Sequence, residues 1–167
     1  MNKESLQTVN GKMKKKQPLT IKEAKLKAAD YCAYQERTQQ QVRDKLFDLG
    51  LHCDEVEDIL ADLITEGFIN EERFAIHYAG GKFRMKKWGK VKISHHLKAL
   101  KISDYCINRA LAEIDDEDYQ ITLHQLLEKK KSSITGENQY IIGKKIATFL
   151  IQKGYEPNLV WTLIRDL

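Results

Sequence analysis

The sequence predicts an all-α protein made of three tandem three-helix repeats, an elongated, curved modular array. Three observations lead there. Apolar residues recur at helical spacing nearly everywhere, with no useful length of period-2 alternation. Only two prolines occur, Pro18 and Pro157, both near the ends. The apolar pattern also repeats itself. A shift of 51 residues lays Val42, Leu46, Leu49, Leu51, Val56, Ile59 and Leu60 on Ile93, Leu97, Leu100, Ile102, Ile107, Ala110 and Leu111. A shift of 104 lays Val42, Leu46, Gly50, Leu51, Val56, Ile59 and Leu60 on Ile146, Leu150, Gly154, Tyr155, Val160, Leu163 and Ile164. A period of about 50 residues is the mark of stacked supersecondary units, each expected to bury a small core of its own, with joints able to flex.

Start and stop signals place the elements. Helices are predicted over 20–36, 38–49, 54–66, 71–87, 90–100, 103–114, 117–131, 138–153 and 157–166. Thr20 with Glu23 and Thr38 with Gln41 read as capping boxes, in which a hydroxyl and a carboxyl or amide satisfy orphan N–H groups. Asp54, with Glu57 three residues on, is expected to open the third helix. Asn70 is a natural N-cap, and Glu71 and Glu72 suit the positive end of the next helix dipole. Gly50, Gly67, Gly89 and Gly154 each follow an apolar run, where a left-handed C-cap favours glycine. The resulting divisions are a disordered basic tail over 1–17 and repeats over 18–69, 70–115 and 116–167.

The net charge of +4 resides in that tail, whose five lysines face one glutamate. The rest is neutral but unevenly laid out. Asp54 to Glu72 holds eight carboxylates and no base, whereas Gly80 to Lys101, GGKFRMKKWGKVKISHHLKALK, holds seven lysines, one arginine and no acid. Such blocks imply a patterned surface that meets charged partners. No stretch of 18 apolar residues suggests a membrane span, and the first residues have no apolar core of a secretory signal. Cys32, Cys53 and Cys106 form no CxxC pair, which fits buried thiols in a reducing cytoplasm.

A catalytic constellation is hard to find. There is no HExxH, no His pair at i, i+4 and no phosphate-cradling glycine loop. His95 and His96 stand about 100° apart on a helix and cannot share an ion from one face. His52-Cys53 reads as a buried thiol beside an exposed imidazole. Asp115-Asp116-Glu117-Asp118 reads as a solvated helix start. The expectation is a protein that is not an enzyme and uses no cofactor or metal. Binding is better supported. Phe83 and Trp88 interleave with the bases of the 80–101 stretch, so they either stack on a ligand or pack beneath lysine stems.

One segment is more specific than composition. LADLITEGFINEERFAIHYAGGKFRMKKWGKVKISHHLKAL resembles the centre of the RecX family of recombinase regulators, with its junction standing as Glu66-Gly67-Phe68-Ile69-Asn70-Glu71-Glu72-Arg73-Phe74-Ala75. YCAYQERTQQQVRDKLFDLG and KKIATFLIQKGYEPNLVWTLI resemble the family's first and last repeats. The resemblance implies a cytoplasmic, monomeric protein that lodges along the groove of a RecA-type filament on DNA. It implies inhibition of ATP hydrolysis, strand exchange and co-protease activity, with weak, non-specific contact to single- and double-stranded DNA. The candidate contact residues are Lys82, Arg84, Lys86, Lys87, Trp88, Lys90, Lys92 and Lys98, joined by Arg37, Arg43 and Arg73. Gly80-Gly81 departs from the family pattern, and a kink or a close helix approach is expected there. A second reading is a direct DNA-binding protein of helix-turn-helix type, acting as a dimer on two half-sites.

Overall fold

The structure, a computed structural model, describes residues 19–165, and every regular element among them is a helix. The helices are α1 (Ile21–Tyr34), α2 (Gln39–Asp48), α3 (Cys53–Thr65), α4 (Glu71–Lys86), α5 (Lys90–Ala99), α6 (Asp104–Ala112), α7 (Asp116–Ser132), α8 (Gln139–Lys153) and α9 (Pro157–Arg165). They fall into three tandem units of three. The basic tail lies outside the described residues.

The caps follow local chemistry. The Thr20 hydroxyl accepts the Glu23 N–H at 3.3 Å while Glu23 Oε2 accepts the Thr20 N–H at 2.9 Å. Thr38 and Gln41 do the same at 3.1 and 3.0 Å. Asn70 Oδ1 accepts the Arg73 N–H at 2.7 Å. α3 opens earlier than expected: His52 is its N-cap rather than Asp54, and Glu55 reaches back to the His52 N–H at 2.9 Å. The two acids meant to form a box from Asp54 instead sit in and beyond the first turn.

The three units share one turn. After α2, α5 and α8 the chain enters the left-handed region at Gly50 (φ 90), Lys101 (φ 63) and Gly154 (φ 99). Each residue donates its N–H three residues back, to Phe47, Lys98 and Ile151, at 2.9 Å. The next N–H reaches further, from Leu51 to Leu46, Ile102 to Leu97 and Tyr155 to Leu150. This is the paired hydrogen bonding of a Schellman C-cap. It carries the apolar residue after the turn into the core, where Leu51, Ile102 and Tyr155 are all buried. Lys101 is the exception in side chain, not in backbone. A left-handed conformation costs a residue with a Cβ about 1–2 kcal/mol, partly offset by the roughly 0.5–1 kcal/mol of extra unfolded-state freedom that glycine carries. Lys101→Gly is therefore expected to stabilise the protein by about 0.5–1 kcal/mol, read as a rise in thermal midpoint; a fall would show that the lysine side chain makes a contact worth more than the strain.

Gly89 behaves differently from its expected role. The left-handed residue ending α4 is Lys87 (φ 56), and Gly89 is the extended N-cap of α5 (φ −76). Its smallness serves another purpose. A Cβ there would lie 2.2 Å from the carbonyl carbon and oxygen of Gly154, and a Cβ on Gly154 would lie 2.2 Å from Lys92 Cβ. The two glycines let main chain meet main chain: the Gly89 N–H donates to the Lys153 carbonyl at 2.9 Å, and the Val91 N–H to the Gly154 carbonyl at 3.0 Å. The Gly80-Gly81 pair makes no comparable approach. A Cβ on Gly81 would meet nothing within 4 Å, and one on Gly80 would meet only the Arg84 side chain of its own helix. α4 runs through both as one helix.

Most repeat positions are the core, as expected, while Leu49, Leu100, Leu111, Leu163 and Ile164 are half-buried at its edge. Val42, Leu46, Val56 and Ile59, their counterparts Ile93, Leu97, Ile107 and Ala110, and Ile146, Leu150 and Val160 are all buried. The expectation of one core per unit fails, however. The first unit buries its own cluster from Ala24 to Ile69, while α4 to α9 share a single cluster. The second and third units are fused by the two main-chain bonds at Gly89 and Val91 and by aromatic packing. Tyr119 of α7 lies 5.8 Å from the Phe83 ring and 5.0 Å from the Tyr155 ring, centre to centre. Its hydroxyl accepts the Lys90 N–H at 3.0 Å and donates to Glu156 Oε2 at 2.8 Å. The first unit is joined more sparsely. Arg73 of α4 reaches back to the Glu36 carboxylate between α1 and α2, and to the Gly67 carbonyl at 3.0 Å.

Candidate functional site

The basic stretch forms the end of α4, the turn through Trp88-Gly89 and all of α5. Trp88 anchors it. The indole is half-buried against the shared core and lies 4.5 Å from the His96 ring, centre to centre. Lys82 Nζ stands 5.1 Å and Lys92 Nζ 4.9 Å from the indole centroid, within cation–π range. Lys82 also lies 5.0 Å from the Tyr78 ring, one helical turn earlier. Phe83 is buried. Trp88 thus packs beneath two lysine stems, while Phe83 belongs to the core, where its ring meets Tyr119.

The candidate cations divide into tied and untied groups. Lys90 is ion-paired to Asp116 at 2.9 Å and sits over the Tyr119 ring; the same ammonium holds the Asp116 carboxyl below the usual carboxylate range. Lys98 pairs with Asp104 at 3.3 Å. Arg43 grips both oxygens of Glu57, at 2.7 and 3.2 Å, and this fork depresses the Glu57 pKa. Arg37 stacks 3.9 Å over the Tyr31 ring, and Arg73 is the clamp between the first and second units. Arg84 borders a shallow depression with Glu113, Asp115 and Asp118, so its surroundings are acidic. The stretch has no acid of its own, but the chain supplies partners from elsewhere. Lys82, Lys86, Lys87 and Lys92 remain; like Arg37 and Arg84, none of them lies within 4 Å of a carboxylate among the described residues.

This untied group continues onto the third unit, which the reading of the sequence missed. Lys92 Nζ donates to the Gln152 carbonyl and Lys153 Nζ to the Lys86 carbonyl, both at 3.3 Å. Beyond them a shallow groove is lined by Lys130, Lys144, Lys145, Thr148, Phe149 and Gln152. Lys130 lies 5.5 Å and Lys153 6.0 Å from the Phe149 ring, and Lys144 lies 4.5 Å from the Tyr140 ring. A signal was present: Tyr78/Lys82, Tyr140/Lys144 and Phe149/Lys153 each set a lysine four residues after an aromatic, a spacing that brings the two together on a helix.

Other expected features resolve as follows. No group of three or more His, Cys, Asp or Glu able to hold a metal ion occurs among the described residues. Cys53 is exposed, not buried, because the first turn of α3 faces water; Cys32 and Cys106 are buried, and burial raises both thiol pKa values. Burial likewise pushes Tyr119 and Tyr155 well above the usual phenol range. No helix among the described residues is long and apolar enough to cross a membrane.

Three family models match in tandem: the first three-helix domain of RecX over residues 24–63, the second over 70–111 and the third over 116–164. The chain belongs to the RecX family. Among curated relatives, the regulatory protein RecX of Bacillus mycoides is 25% identical over 88% of this chain and 54% of its own length. That of Clostridium perfringens is 29% identical over 78% of this chain and 62% of its own length. The chain thus spans a little over half the length of these curated relatives. The crystal structure of RecX from Lactobacillus salivarius superposes with a TM-score of 0.80 at 27% identity, covering 88% of this chain and 96% of that one. The RecX relatives are regulatory proteins, and the three tandem helical domains found here are theirs.

Proposed function

We propose that this RecX-family chain is a non-catalytic regulator that binds a RecA-type recombinase filament on DNA. It lies along the filament groove and inhibits ATP hydrolysis, strand exchange and co-protease activity. The observation that carries the reading is the tandem of three RecX domains between residues 24 and 164. The untied lysines support contact with an anionic surface, because clustered charge steers a protein onto such a partner. On this reading the chain works as a cytoplasmic monomer, with weak and non-specific contact to single- and double-stranded DNA. The helix-turn-helix alternative has less support. The third helix of the first unit presents Asp54, Glu55, Glu57, Asp58 and Asp62, a poor face to offer a DNA groove.

Recombinase filaments formed on single-stranded DNA are expected to hydrolyse ATP more slowly as the purified chain is added. Unchanged hydrolysis and no co-sedimentation at large excess would sink the proposal. Lys86→Gln with Lys87→Gln is expected to weaken filament binding while helix content stays the same. At up to about 1 kcal/mol per exposed charge, the loss reaches at most roughly thirtyfold. An unaltered affinity would remove these two lysines from the contact surface.

A further inference from the structure

The lysines of α7 and α8 have no place in the reading above, which rests on the basic stretch of the second unit. We infer that they complete a single phosphate-binding strip running across the seam between the second and third units. Its members are Lys82, Lys86 and Lys92 on one side and Lys130, Lys144 and Lys153 on the other. The two sides are physically continuous, since Lys92 and Lys153 each donate across the seam to a main-chain carbonyl of the opposite unit. None of the six lies within 4 Å of a carboxylate among the described residues. Within the groove only Lys145 is neutralised, by Glu137 at 2.7 Å.

The chemistry favours the sugar-phosphate backbone of a nucleic acid. Five of the six ammonium groups stand over an aromatic ring: Lys82 and Lys92 over Trp88, Lys130 and Lys153 over Phe149, Lys144 over Tyr140. Aromatic faces steady the stems without spending the ammonium's hydrogen-bond donors on an acid, so each is left able to meet a phosphate oxygen. Tyr140 is 69% exposed, so beyond the face that Lys144 covers its ring is open to an unpaired base. The fused core beneath carries both sides on one body, so the strip does not depend on a hinge between the units. The strip is thus a grip on nucleic acid independent of any recombinase, and its use in regulation rests on the proposed function.

The test is the salt dependence of binding to a fluorescent oligo-dT strand and to a duplex, measured on the full chain without recombinase. Lys130→Gln with Lys144→Gln is expected to flatten the log–log slope by about 0.7 per lost contact, or about 1.4, on the single strand. Lys22→Gln with Lys27→Gln, an equal loss of charge on exposed α1, is expected to leave the slope as it was. An unchanged slope in the first variant on both nucleic acids overturns the strip, and so does an equal flattening in the second. Competition by polyglutamate as strong as that by oligo-dT also overturns it, since any polyanion would then do. Flattening on the single strand alone assigns the strip to unpaired nucleic acid; flattening on both assigns it to phosphate in general. A chain that leaves filament hydrolysis untouched but shows the slope difference keeps the strip and loses the regulatory role. Slowed hydrolysis with no slope difference loses the strip alone.

Discussion

Gly154→Ala is expected to cost the fused half of the molecule several kcal/mol, about 2–6 from strain and overpacking together. The residue sits at φ 99, where a Cβ is strained at about 1–3 kcal/mol. The added carbon would also stand 2.2 Å from Lys92 Cβ and 2.7 Å from the Lys92 backbone nitrogen. Relief requires parting the seam, an overpacking penalty of about 1–3 kcal/mol more. Gly50→Ala provides the control, because Gly50 has the same turn and a similar φ of 90 but nothing within 4 Å of its Cβ position. Urea denaturation followed by hydrogen exchange should show the larger loss in α4 to α9 for Gly154→Ala. Equal losses from the two variants would mean that the seam opens at little cost.

The second large effect comes from the cores. Leu46 and Leu150 occupy equivalent repeat positions and are both fully buried, so truncation of either to alanine should remove about 2–5 kcal/mol. Where the loss is felt should differ. Leu46→Ala is expected to raise amide exchange within α1 to α3 only, since its cluster stops at Ile69. Leu150→Ala is expected to raise it through α4 to α9 together, because those helices share one cluster. Exchange that spreads over the whole chain in the first variant, or stays within α7 to α9 in the second, would contradict the division into two bodies.

Much of this architecture was legible in the sequence, for a physical reason. Helix faces and caps are local devices, so spacing and residue type reveal them: most repeat positions are buried, Thr20, Thr38 and Asn70 cap as read, and Gly50, Gly67 and Gly154 are left-handed. What escaped depends on contacts between distant residues. Lys87 adopts a conformation that nothing in a lysine announces, and Lys101 is betrayed only by the repeat, which sets it on Gly50 and Gly154. Gly89 looks like a C-cap until Gly154 is seen lying against it. The basic stretch was found because its charges adjoin in sequence, but its tied members depend on Asp104 and Asp116, which approach only in the fold. Lys130 sits in the run Lys129-Lys130-Lys131 and Lys144 beside Lys145, but these short runs and Lys153 lie far apart in sequence, and their setting on Phe149 and Tyr140 draws them together.

The seam also bears on how such a chain can diverge. Two of the hydrogen bonds that close it, from Gly89 and Val91 to the carbonyls of Lys153 and Gly154, belong to peptide groups that any residue but proline supplies. Substitution around them can therefore drift widely without changing the angle at which the two units meet, provided that two positions stay free of a side chain. Selection on that angle would be concentrated on a pair of hydrogen atoms, those that stand where Gly89 and Gly154 would otherwise carry a Cβ.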